Sequence, residues 1–211
     1  MMAETDALAE CVQKLLWRLR NNLSATVLIS GEPGTGKSTL AINMGAMAAY
    51  LTGKKWPWKK AIAYDGKQYL SSLQQLPEYS TVILNEAGED LFNRDWQKKT
   101  SKAISRSQQN DRVYRKIKLF IVPYASMIDV NIIRTAHYRM HCSTLGSRRL
   151  VEVWEGMPAP MFQKHDKPYY KQIFRGYAFS KLPERMYKEY LHLDIGKKED
   201  MNAKYRKQIE S

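Results

Sequence analysis

The chain has 211 residues, 44% of them hydrophobic and 26% charged, with a formal net charge of +13. That length and balance suit one buried α/β core and exclude disorder throughout. The positive excess favours a polyanionic partner, nucleic acid or an acidic membrane surface. Leu8, Val12, Leu15, Leu16 and Leu19 recur at helical spacing, which predicts a helix over 5–20 with Thr5 and Asp6 as caps. Thr26-Val27-Leu28-Ile29 is too short for a helix and predicts a buried strand over 25–30. Residues 39–51 are rich in Ala and Met and predict a helix buried against a sheet. Residues 53–60, with Trp56 and Trp58 among four lysines and Pro57 as breaker, read as a loop whose aromatics pack on a neighbouring element in preference to stacking on bases.

A second strand is predicted over 61–64, then a helix over 67–76, and a third strand over 81–84 ending at Asn85-Glu86. A long polar helix over roughly 91–109 follows, with Leu91, Phe92, Trp96, Ala103 and Ile104 as its apolar contacts. Lys98, Lys99, Lys102 and Arg106 share one stripe of it, suited equally to solvent or to DNA phosphates. Residues 117–122 form a fourth strand stopped by Pro123, and a short helix over 126–134 leads to strands over 137–143 and 149–154. Leu145-Gly146-Ser147 joins those two as a hairpin-like turn. His137 and His141 alternate with Tyr138, Met140 and Cys142, which suits a strand better than a metal site. Cys11 and Cys142 support neither a disulfide framework nor a thiolate metal site, so a reducing compartment is expected. The first residues lack a signal-peptide pattern, and no run reaches the ~18 apolar residues of a spanning helix. A soluble, intracellular protein is expected.

The strand and helix alternation argues for an α/β fold, a mostly parallel sheet flanked by helices. From about residue 156 prolines and tyrosines crowd the chain, and 184–211 read as one or two charged helices. The expected division is a core over 1–155 and, over 156–211, a C-terminal appendage of the same domain.

Gly31-Glu32-Pro33-Gly34-Thr35-Gly36-Lys37-Ser38 is a complete phosphate-binding loop between an apolar strand and an apolar helix. Gly34 and Gly36 let the backbone turn its amides inward around a β-phosphate, and the following helix adds its N-terminal N–H groups. Lys37 would reach the β- and γ-phosphates and Ser38 would ligate Mg²⁺. Residues 31–39, through Thr39, are therefore the expected contacts of ATP. Val82-Ile83-Leu84-Asn85-Glu86 is a strand that delivers polar side chains beside that loop. Asn85 leaves only an amide oxygen to receive a metal-bound water, and Glu86 holds the position of a general base. Ser38, Asn85 and Glu86 are together the expected Mg²⁺ residues, and Glu89 and Asp90 are close enough in sequence to compensate.

The loop with Thr39-Leu40-Ala41, then Leu84-Asn85-Glu86-Ala87-Gly88-Glu89, Trp96 with its long basic helix, and Arg112-x-x-Arg115 together resemble the FtsK/HerA-type DNA-pumping ATPases. The likeness is greatest to the small ones of archaeal viruses and mobile elements, genome-packaging motors included. It covers roughly residues 20–140, with a looser likeness in Leu182-Pro183-Glu184, Tyr187 and Tyr190. Two positions depart from the pattern. Asn85 stands for an expected Asp, and Pro123 displaces a polar residue that senses phosphate, leaving Tyr124 and Ser126 as the nearest substitutes.

The resemblance implies a RecA-like P-loop NTPase core with a C-terminal hairpin and helical appendage. It also implies a homo-oligomeric ring of roughly five or six subunits that hydrolyses Mg-ATP and pulls double-stranded DNA through its centre. An arginine given in trans belongs to such a site, with Arg112 and Arg115 as first candidates and Arg134 as second. A host-cytoplasmic protein that docks at a capsid vertex or a membrane portal follows from the same resemblance. The competing readings are an AAA+-type helicase loader or switch acting on a protein, a small nucleotide kinase, and a binding protein with a dead site. The general-base position of Glu86 and the charge of +13 weigh against the kinase.

Overall fold

A computed structural model describes residues 4–85, 111–128, 130–146, 148–157, 169–177 and 182–209. The predicted helix over 91–109 with its basic stripe, and Glu86, Glu89, Asp90 and Trp96, lie outside the described residues. The elements run α1 (Glu4–Arg20), β1 (Ala25–Ser30), α2 (Lys37–Thr52), α3 (Trp58–Ala61), β2 (Ile62–Ala63), α4 (Gly66–Gln75) and β3 (Thr81–Leu84). After a 3₁₀ turn (Asp111–Tyr114) come β4 (Ile117–Val122), a second 3₁₀ turn (Ala125–Met127), α5 (Val130–Thr135), β5 (Tyr138–Leu145), β6 (Arg148–Met157), β7 (Tyr169–Tyr177) and α6 (Glu184–Ile209).

One sheet has the order β2-β3-β4-β1-β5-β6-β7. The strands from β2 to β5 are parallel, and β6 and β7 continue the sheet antiparallel. The expected mostly parallel α/β sheet is therefore present. β1, β3 and β4 are near-continuous apolar runs because both of their faces are covered. On one face Leu28, Val82, Leu84, Phe120 and Val122 pack with Tyr69 and Leu73 of α4 and with Ile132 of α5. On the other, α1 and α2 pack together and against β1 and β4. Val12, Leu15, Leu16 and Leu19 of α1 are buried, as its periodicity requires.

Local chemistry sets the element ends. Asp65 caps α4 by accepting from Gln68 N (2.8 Å), and Gln68 Oε1 accepts from Tyr64 N (3.2 Å), a reciprocal pair that ends β2 and starts the helix. Gly53 stops α2 with φ 64°, its N–H reaching the last carbonyls of the helix. Trp56 lies against Gly45 of α2 and donates its indole N–H to Thr81 O at 2.9 Å. The preferred packing role for this aromatic is the one the structure gives it.

The chain forms two compact units that divide between Phe179 and Ser180. Composition set the break at residue 155, but β6 extends to Met157 and β7 pairs along it, so the sheet continues past that point. Among the described residues the second unit is a single helix, α6, preceded by Pro183 and carrying the i,i+4 ion pairs Lys188–Glu184, Arg185–Glu189 and Lys198–Asp194. No described helix is long and apolar enough to cross a membrane.

Candidate nucleotide site

In an open parallel sheet, ligands bind beyond the carboxyl ends of the strands, where neighbouring connections diverge. Here the chain leaves β1 toward β2 on one side, while β5 lies on the other side of β1, so the divergence falls at the end of β1. The glycine-rich loop occupies that position.

Gly31 opens the loop at φ 144°, and its N–H donates to Pro123 O at 3.0 Å, tying it to the end of β4. A Cβ at Gly31 would stand 2.1 Å from the carbonyl oxygen of Cys142 in β5, so only glycine fits between these strands. Glu32 O accepts from Thr35 N at 3.3 Å and from Thr35 Oγ1 at 2.8 Å, which closes the turn. Gly34 and Gly36 have φ of 82° and 94°. Left-handed residues at these points fold successive amides toward one concavity. Among the described residues, the N–H groups of Gly34, Gly36, Ser38 and Thr39 donate to no backbone carbonyl. They are the loop donors and first-turn donors that an anion would satisfy.

Lys37, the first residue of α2, donates Nζ to Gly31 O (2.7 Å) and Glu32 O (2.8 Å), so its ammonium is held across the loop. Ser38 Oγ donates to Asn85 Oδ1 at 3.3 Å. Asn85 is 3% exposed, and its own N–H is fixed by Ala63 O at 2.8 Å. The loop and the end of β3 therefore meet, as expected, because β1 and β3 both flank β4. Ser38 Oγ is a hard oxygen donor with Asn85 Oδ1 beside it to accept from a metal-bound water, a set that fits Mg²⁺ with water completing its shell. Among the described residues no group of three or more His, Cys, Asp or Glu side chains is gathered to hold a metal. Pro123 serves the loop through its carbonyl, while Tyr124 and Ser126 are exposed beyond it.

The three candidate arginines lie elsewhere. Arg112 and Arg115 precede β4 and Arg134 lies in the last turn of α5 before β5, so all three sit at the amino ends of the strands. The six residues of β1 span about 20 Å at about 3.3 Å each, which keeps these arginines away from their own chain's loop. Arg115, at φ 47°, is bound within its chain, donating to Tyr79 Oη (3.4 Å) and Asn22 Oδ1 (3.0 Å) and lying 3.6 Å from Glu78. Arg112 and Arg134 are exposed.

Two features of the site were missed in sequence. His141 Nδ1 lies 3.1 Å from Ser30 Oγ, bracing the last residue of β1 against β5. Arg149, near the start of β6, lies over Gly36, as a Cβ there would be 3.1 Å from its Cδ and 3.2 Å from its Nη1. The antiparallel return of β6 carries Arg149 opposite Thr144, at the loop end of the sheet. A hairpin turn followed by Arg148-Arg149 was the available signal. Burial pushes the Cys142 thiol up to about 12, against the opposite pull of Lys37 and Arg149, both of which lie close to it. His137 accepts the Thr26 N–H at its Nδ1 (3.0 Å), so it is a structural residue at the start of β5.

No family model matches the chain, and no curated protein matches it. Among solved structures the chain is similar to the N-terminal domain of zonular occludens toxin from Neisseria meningitidis, at 14% identity and TM-score 0.41, over 71% of this chain and 93% of that one. It is also similar to the genome packaging NTPase B204 from Sulfolobus turreted icosahedral virus 2 in complex with ATP-gammaS, at 11% identity and TM-score 0.39, over 58% and 76%. A third likeness is to the FIGL-1 AAA domain, at 19% identity and TM-score 0.38, over 65% of this chain and 50% of that one. Likeness at this level assigns no activity.

Proposed function

We propose that this protein is a Mg-ATP-hydrolysing motor that moves double-stranded DNA as a homo-oligomeric ring, in the packaging of a viral genome or the transfer of a mobile element. The observation that carries the nucleotide half is the loop itself, with Lys37 across it and Ser38 Oγ meeting Asn85 at the ends of β1 and β3. Amides of Gly34, Gly36 and Ser38 would hold the β-phosphate, and Lys37 would exchange its carbonyl partners for β- and γ-oxygens. Mg²⁺, held by Ser38 and, through a bound water, by Asn85, would neutralise the phosphate charge. Glu86 would orient and deprotonate the attacking water.

The net charge of +13 supports the DNA half, since phosphate contacts by Lys and Arg read no sequence. Arg112, Arg115 and Arg134, remote from their own loop, would act on a neighbour's nucleotide. Arg115 would first have to leave Tyr79 and Asn22, which favours Arg112 or Arg134.

The test is to mix Lys37→Ala protein with the Arg112→Ala or Arg134→Ala variant, each inactive alone, with and without duplex DNA. Rescue of turnover by mixing, and a higher rate with DNA, are expected. No rescue in confirmed mixed rings, or no response to DNA, would turn the reading toward a switch ATPase acting on a protein partner.

A further inference from the structure

The proposed function assigns the phosphates to the loop, Lys37 and a trans arginine, and gives no role to Arg149, a further cation at the loop among the described residues. Arg149 projects from β6 onto Gly36, with its Cδ, Nη1 and Nε 3.1, 3.2 and 3.5 Å from where a Gly36 Cβ would stand. A Cβ there would crowd the side chain by a few tenths of an ångström. Gly36 is itself in the left-handed conformation at φ 94° and ψ 17°, immediately before the first residue of α2. Among the described residues the Arg149 guanidinium has no carboxylate or carbonyl partner, and the residue is exposed. An arginine that rests on a glycine-rich phosphate loop, with no partner for its donors among the described residues, matches the need of a polyphosphate for planar, multidentate cations.

Topology decides which chain it serves. β6 runs antiparallel to β5, with Thr144 opposite Arg149 and Cys142 opposite Val151, and the Cys142 carbonyl closes on Gly31 of the same loop. Arg149 is therefore fixed to its own chain's loop through two strands, whereas Arg112, Arg115 and Arg134 are at the other end of the sheet.

We infer that Arg149 is a cis-acting nucleotide ligand, which binds the polyphosphate of the ATP held in its own chain's loop and so couples the β5–β6 hairpin to nucleotide occupancy. The inference rests on the nucleotide-site reading above. The source of its specificity is the phosphate chain, not the base.

The test measures binding of ATP and of inorganic tripolyphosphate to wild-type, Arg149→Ala and Arg149→Lys protein by calorimetry, with thermal melting as the check on folding. Loss of one charge-assisted contact should raise the Kd of both ligands by roughly ten-fold or more in Arg149→Ala, with Lys restoring part of it and melting unchanged. An unchanged Kd for both ligands overturns the inference while leaving the site reading intact. Weakened ATP with unchanged tripolyphosphate also overturns it, because the contact would then be to base or ribose. Rescue of turnover on mixing Arg149→Ala with Lys37→Ala overturns the cis assignment, since a cis ligand leaves both kinds of subunit with a broken site. Failure of the wild-type chain to bind either ligand contradicts the nucleotide site itself.

Discussion

Gly45→Ala is expected to change sign with the residue at position 56. A Cβ at Gly45 would lie 2.1, 2.3 and 2.6 Å from three carbons of the Trp56 ring. Optimal carbon contacts are about 3.5–4.0 Å, so the indole must move by more than an ångström. It is not free to move cheaply, because Nε1–H is bonded to Thr81 O at 2.9 Å. Overpacking costs about 1–3 kcal/mol and the lost hydrogen bond about 1 kcal/mol. Alanine in place of glycine inside a helix returns about 1 kcal/mol. In the wild-type background the net is a loss of about 1–3 kcal/mol. With Trp56→Ala the overlap and the hydrogen bond are already gone, and Gly45→Ala should stabilise by about 1 kcal/mol. Urea unfolding of the four proteins reads the coupling directly. Gly45→Ala acting with the same sign and size in both backgrounds would refute the claim that Trp56 is a packing residue, and would return it to the pool of base-stacking candidates.

Gly31→Ala should lose ATP binding and much of its stability, because the new methyl overlaps the Cys142 carbonyl at 2.1 Å; a variant that melts and binds like wild type would contradict the loop geometry. Glu86→Gln should bind ATP with unchanged affinity yet hydrolyse it slowly, as seen by comparing calorimetry with phosphate release. Asn85→Asp should leave activity unchanged or raise it at low Mg²⁺, since a carboxylate accepts from a metal-bound water more strongly than an amide; collapse of activity would assign Asn85 a role specific to its amide. Burial, reinforced by Arg18 and Lys118, holds His137 down from 6.5 to about 3. Below about pH 6.5 the unfolded chain therefore binds a proton that the folded chain refuses. Stability should fall toward pH 3 with a slope of up to about 1.4 kcal/mol per pH unit from this group, a component that His137→Gln removes.

What the sequence made legible follows from how local each signal is. β1 and β4 were read with their observed bounds because each is a buried apolar run closed by Gly31 or Pro123. The loop was legible because its chemistry lies within eight consecutive residues. β7 was not, because Tyr-Tyr-Lys-Gln-Ile-Phe-Arg-Gly-Tyr lies on an edge strand with exposed Lys171, Gln172 and Ile173, and nothing in it alternates cleanly. α3 was missed because Pro57 reads as a breaker, although it also starts the short helix. The helix expected over 126–134 divides into a 3₁₀ turn and α5. Arg149 escaped because its contact with Gly36 joins residues far apart in sequence through a hairpin register that no local pattern encodes.

The central claim is that residues 31–38 bind ATP for hydrolysis. Its most direct test is the ATPase rate of the purified chain with Mg²⁺, measured beside Lys37→Ala protein that melts at the same temperature. Turnover in the wild-type chain and its loss in the variant, together with greatly weakened ATP binding, are the expected result. Equal turnover in the two proteins would mean that the hydrolysis occurs elsewhere, and would contradict the account.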